Sequence, residues 1–151
     1  MFRFAFVFLL LVLSSASFAG DDGVVRVKSA YPLDETVDRL KKDVAAKGIR
    51  FFQEINQSQL AAEAGVKVLP STLLIFGNPP LGTQFIAARP EAGLDWPVRL
   101  LVQQDEQGVV WAVYTDFGWI ARRHGVVGEA AKPFETASGV ITSITSSVRG
   151  N

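Results

Sequence analysis

Two runs of β-prone residues, 98 to 104 and 109 to 116, stand only four residues apart, and this spacing constrains the fold more than any other feature of the chain. The link, Asp105-Glu106-Gln107-Gly108, has the length and chemistry of a hairpin loop, with Gly108 free to take the positive φ that a tight turn needs. The two strands must therefore lie side by side and antiparallel. With the loop occupying 105 to 108, Gln104 faces Val109, Val102 faces Trp111, Leu100 faces Val113 and Val98 faces Thr115. That set forms one oily surface for helices to cover. The reverse surface pairs Pro97 with Asp116, Arg99 with Tyr114, Leu101 with Ala112 and Gln103 with Val110, apolar in the middle and polar at one end. On it, Arg99 can lie over the Tyr114 ring or donate with it to a shared anion.

Turn residues and apolar spacing place the other elements. Residues 24 to 28 are a β-branched strand ended by Tyr31-Pro32. Asp34 can cap a helix whose Val37, Leu40 and Val44 recur at helical spacing, with Gly48 closing it. A second strand spans 49 to 55, and Ser58 can cap a short helix over 59 to 64. The third strand is Thr72-Leu73-Leu74-Ile75-Phe76, followed by a short helix at 84 to 88 and a loop over 90 to 95. Beyond the hairpin come a turn or two of helix over 119 to 124 and a closing helix from 133 to 148, whose Phe134, Ala137, Val140, Ile141, Ile144 and Val148 form one apolar stripe. The expected fold is α+β and two-layered: a mixed sheet of about five strands, helices on one face, and a C-terminal helix. Such a domain leaves a half-apolar sheet face open, and a homodimer formed through that face is the expected assembly.

The first residues have the three parts of a secretory signal: Arg3, an apolar core from Phe4 to Leu13, and a small-residue end with Ser17 and Ala19 before the cut. This predicts a signal peptide over 1 to 19, a single domain over 20 to 151, and a periplasmic or secreted location. The apolar core is about ten residues, half of what a spanning helix needs. No membrane association is therefore expected once the signal is cleaved. With Cys 0, disulfides, thiol chemistry and a lipidated cysteine are excluded. Formal charge is +0 and no basic stripe is visible, so nucleic acid is not an expected partner. Asn56-Gln57-Ser58 matches a glycosylation acceptor triplet, a pattern frequent by chance.

The third strand ends in a stiff polar turn, Gly77-Asn78-Pro79-Pro80-Leu81-Gly82-Thr83. Its prolines fix φ, its glycines permit close backbone approach, and Asn78 and Thr83 offer short polar side chains, a geometry suited to holding a ligand. Added to it are Ala61 with Ala64-Gly65, the run from Gly93-Leu94-Asp95-Trp96-Pro97 to Val102, Gly108 to Trp111, Tyr114-Thr115-Asp116 and Arg123-His124-Gly125. Together these resemble the domain-of-unknown-function 302 family, from about Phe51 to Gly125. The chain departs from that family's usual pattern at Asn56-Gln57, where an Asp-His pair is expected. The resemblance implies a compact α+β domain, dimeric in related structures, with no established activity.

Catalytic groups are sparse. His124 is the sole histidine, and no serine sits in a nucleophile-elbow context. One histidine without cysteine falls short of a transition-metal site, and the turn after the third strand lacks the lysine of a phosphate loop, so no cofactor is expected. The candidate site for a small-molecule ligand or partner is Asn78 and Thr83 with Arg99, Tyr114, Asp116 and His124. Plain structural roles stand beside this reading: Asn78 as helix cap or turn former, His124 as a helix-end residue. The favoured function is a non-catalytic homodimeric binding or accessory module. The alternative is a small enzyme using His124 as general acid or base, oriented by Asp116 or Tyr114.

Overall fold

The structure, a computed structural model, describes residues 22–150. The predicted signal segment, 1 to 19, lies outside the described residues. Five strands form: β1 (Val24–Lys28), β2 (Arg50–Asn56), β3 (Ser71–Gly77), β4 (Val98–Gln104) and β5 (Val110–Thr115). The helices are α1 (Leu33–Ala46), α2 (Gln57–Glu63), α3 (Pro79–Ala88), α4 (Phe117–Arg123) and α5 (Lys132–Ser146), with short 3-10 turns at Pro90–Leu94 and Gly128–Ala131.

Local chemistry explains most boundaries. α1 starts at Pro32 without a side-chain cap, so Asp34 acts with Glu35 as an acidic first turn against the helix dipole. Asn56, and not Ser58, caps α2: its Oδ1 accepts from the Gln59 backbone N–H at 2.9 Å and from the Ser58 hydroxyl at 2.9 Å. α3 begins five residues earlier than expected, because Pro79 and Pro80 suit the first turn of a helix, where no N–H is needed.

The strand order is β1-β5-β4-β3-β2, and every neighbouring pair is antiparallel. The expected mixed sheet is thus an antiparallel one. α1 carries the chain from the β1 edge to the β2 edge, so the two strands it joins never meet, and every later connection reverses direction at a sheet end.

The hairpin register differs from the predicted one by a single residue. Asp105 N–H donates to Val109 O at 2.9 Å and Gly108 N–H donates to Asp105 O at 3.0 Å, with Gly108 at φ 79. The loop therefore holds three residues closed by an Asp105–Val109 pair, with Gly108 as a bulge. Asp105 reinforces it: its carboxylate accepts from the backbone N–H groups of Gln107 and Val109 and from the Trp111 indole at 2.8 Å. The observed pairs are Leu101 with Val113, Val102 with Ala112, Gln103 with Trp111 and Gln104 with Val110. β4 keeps its expected inner face, with Leu100 and Val102 fully buried, but β5 is turned over. Val110, Ala112 and Tyr114 enter the core, while Trp111, Val113 and Thr115 go to the reverse face. The predicted stacking of Arg99 on Tyr114 across the open face is therefore not formed.

The core lies between the sheet and α1, α3, α4 and α5. Val37, Leu40 and Val44 of α1 and Phe134, Ala137, Ile141 and Ile144 of α5 are buried, as their spacing requires. Phe85 of α3 stacks on Phe134 with ring centroids 4.1 Å apart and meets Phe117 at 5.8 Å. Each such buried side chain contributes roughly 1.5–3 kcal/mol of hydrophobic stabilisation. On the reverse face, register places Ile55, Leu73, Leu101 and Val113 in one row across four strands, ending at Arg26 on β1.

Candidate functional site

The polar centre of the molecule is Asp95, in the segment between the 3-10 turn and β4. Its side chain is 6% exposed, and a buried carboxylate needs partners. His124, at the C-terminal end of α4, donates from Nε2 to Asp95 Oδ2 at 2.7 Å and is itself 7% exposed. Arg123 Nη1 donates to Asp95 Oδ1 at 3.2 Å, and Arg99 Nη2 lies 3.6 Å from Oδ1 while donating to the Leu94 carbonyl at 2.7 Å. Three cationic or protonatable groups from two elements thus converge on one carboxylate. Arg89 Nε, from the end of α3, donates to the His124 carbonyl at 3.1 Å and ties the helix ends together. Arg123 also lies over the Trp119 ring at 5.7 Å.

This arrangement fixes the imidazole and leaves Nδ1 without a hydrogen-bond partner among the described residues. No Ser or Thr hydroxyl among those residues bonds to it. Chemically it is an oriented base without an attached nucleophile. No group of three His, Asp, Glu or Cys side chains able to hold a metal ion occurs among the described residues.

The six residues predicted for the site fall into separate places. Arg99 and His124 meet at Asp95. Tyr114 is buried, but it lines a small recess of about 20 Å³, room for about one water, together with Asp95 and Arg99. Asp116 is the N-cap of α4, accepting from Trp119 N–H at 2.7 Å; neither it nor Tyr114 orients His124. Thr83 is exposed and donates back to the Pro79 carbonyl at 2.7 Å. Asn78 borders a different, apolar recess between the sheet, α3 and α5, which shares only Val98 and Phe117 with the first.

The two glycines of the stiff turn serve a side chain of this same protein. An ideal Cβ on Gly82 would stand 1.9 Å from Trp96 Nε1, and one on Gly77 would stand 2.9 Å from it. Both lack a side chain because the Trp96 indole occupies that space. Asp95 was the residue missed in the sequence. Its only signal was an acidic residue in the otherwise apolar and small Gly93-Leu94-Asp95-Trp96-Pro97 segment, 29 positions from its histidine partner.

These features define an antiparallel α+β domain with a charged cluster at one sheet end. Residues 25–144 match the family described as Domain of unknown function DUF302, and the chain belongs to that family. A solved structure from Bacillus stearothermophilus, "uncharacterized conserved protein DUF302", has the same fold: TM-score 0.77 at 15% identity, over 85% of this chain and 99% of that one. Among curated proteins, "Fluoride-specific ion channel FluC 1" of Brucella suis biovar 1 (strain 1330) is 35% identical over 125 residues, 81% of this chain and 49% of that protein. The protein of the same name from Brucella abortus biovar 1 (strain 9-941) is also 35% identical over 125 residues, 46% of its length. The chain spans about half the length of these relatives.

Proposed function

We propose that this chain is an exported, non-catalytic binding or accessory module that works as a homodimer. The observation that carries this reading is the reverse face of the sheet, where Ile55, Leu73, Leu101 and Val113 form a continuous, partly exposed apolar row. Gln53, Arg99, Gln103 and Trp111 surround it, which matches the make-up of a protein interface: an apolar centre with polar and aromatic neighbours. Export rests on the signal-like first 19 residues.

The relatives add support for an accessory role. Among the described residues no helix is long and apolar enough to cross a membrane, and the match takes up less than half of each Brucella protein. The channel activity in their name belongs to a longer protein, and a domain joined to another unit is how accessory modules occur. Substituting Leu73→Glu and Leu101→Glu together places four like charges in the dimer face, so light scattering should report the mass of one chain with an unchanged circular dichroism spectrum. An unchanged dimer mass would count against the interface.

The 2.7 Å contact between His124 and Asp95 favours a second reading, a small enzyme with His124 as general base. It expects turnover of an activated ester to vanish in His124→Gln; equal rates in both proteins eliminate it.

A further inference from the structure

We infer that the arm formed by α2 and residues 64–70 packs over the β4–β5 hairpin of a second copy, with Lys67 facing Glu106 of the partner subunit. This rests on the reading of the chain as a homodimer through the reverse face of the sheet. None of residues 50–70 is buried, although they form a strand and a helix. Leu60, Val66, Val68 and Leu69 each keep about half of their surface in water. Apolar side chains gathered so closely on an exposed arm mark a contact surface. The row on the sheet needs such an addition, because a standard interface uses about 20–30 residues a side and the row with its neighbours falls short of that.

The register fixes where the arm of one copy falls on the other. A two-fold axis along the strands, midway between β3 and β4, lays the row on itself, with Ile55 against Val113 of the partner subunit and Leu73 against Leu101 of the partner subunit. Ser71 pairs with Gln103 and Gln104 N–H donates to Pro70 O at 3.0 Å, so the arm and the hairpin loop stand at the same end of the sheet. The axis therefore brings each arm over the other copy's hairpin, beside a groove of about 480 Å³ lined by Ala61, Val68, Leu69, Asp105 and Glu106. Charge selects this axis. Turned perpendicular to the strands, it would also map the row on itself, but it would carry the arm to the opposite end of the sheet, where Arg50 and Arg99 stand. Lys67 would meet like charge there. At the hairpin it meets acid: Gln107, Val109 and Trp111 hold the Asp105 carboxylate, while Glu106, like Lys67, is exposed and has no ion-pair partner among the described residues. Glu63, the arm's other charge, accepts from Gln59 at 3.1 Å.

Sedimentation equilibrium of the purified chain at low ionic strength tests this by charge exchange. Lys67→Glu and Glu106→Lys each place like charges at both contacts of a homodimer, and each should raise the dimer Kd about tenfold. An equimolar mixture of the two variants restores opposite charges at both contacts and should dimerise as tightly as the wild type. Val66→Glu, at an exposed position, should raise Kd at least about tenfold, whereas Val127→Glu, 78% exposed in the loop after α4, should leave it unchanged. Equal Kd for the wild type, both charge variants and Val66→Glu, or a mixture no tighter than either charge variant alone, would overturn the inference. If Leu73→Glu with Leu101→Glu still yields monomers in that case, the sheet face stands as the interface without the arm. A wild-type chain that sediments as a monomer at tens of micromolar would overturn both.

Discussion

Replacing Gly82 with alanine sets two known effects against each other. Gly82 is buried within α3, and alanine in a helix interior is favoured over glycine by about 1 kcal/mol. Against this, the new Cβ would lie 1.9 Å from Trp96 Nε1, 2.2 Å from Cε2 and 2.4 Å from Cδ1, where carbon contacts settle at about 3.5–4 Å. The indole has little room to retreat. Gly77 backs it at 2.9 Å from its own ideal Cβ position, and the Phe52 ring meets it edge-on with centroids 6.4 Å apart. Overpacking of this kind costs about 1–3 kcal/mol, and so deep an overlap belongs at the upper end. The net expectation for Gly82→Ala is a loss of about 2 kcal/mol, read from urea unfolding followed by circular dichroism and tryptophan fluorescence. Gly139→Ala in α5 is the matched control: nothing lies within 4 Å of its Cβ position, so it should gain up to about 1 kcal/mol. A Gly82→Ala protein as stable as the wild type would refute the claim that Trp96 is why the glycine is there.

Other substitutions probe the charged cluster and the turns. Asp95→Asn removes the carboxylate shared by His124, Arg123 and Arg99; with His124 buried but both arginines about half exposed, a loss of about 2–3 kcal/mol is expected in the urea midpoint. Asp116→Ala should cost about 0.5–2 kcal/mol as a lost N-cap, read from the urea midpoint; an unchanged midpoint would contradict its role as the cap of α4. The Trp111 indole N–H, acting with the backbone N–H groups of Val109 and Gln107 and the Lys28 charge, holds the Asp105 carboxyl below its ordinary value despite some desolvation. The resulting stabilisation is present above the unfolded-state value and lost as pH falls through the folded one. Trp111→Phe should raise the Asp105 midpoint in a carboxyl-detected NMR titration and reduce that acid-side loss; an unmoved midpoint would contradict the assignment.

Much of the framework was legible because it depends on local spacing. The stripe Val37, Leu40, Val44 and the stripe Phe134, Ala137, Ile141, Ile144 bury as their helical periodicity demands, and β1 and β4 have the bounds read from their β-branched runs. The hairpin was visible, but its register was not: whether Asp105 closes the loop or belongs to it depends on how its carboxylate binds the turn, and that one residue decides whether Tyr114 is inside or outside. Strand direction followed from where α1 crosses the sheet, which no periodicity records. The pairing of Asp95 with His124 joins residues 29 apart that meet only because α4 folds back on the segment before β4. Gly77 and Gly82 showed that something approaches the backbone closely, without showing that it is Trp96.

The homodimer proposed above, in which two copies meet through the reverse face of the sheet, can be measured directly. The chain has Cys 0, so Gln103→Cys at the rim of that face gives a unique site for a nitroxide label. Pulsed dipolar spectroscopy should then show a defined distance between two labels, abolished when Leu73→Glu and Leu101→Glu are added. No dipolar coupling between labelled chains at tens of micromolar would rule out a dimer through this face.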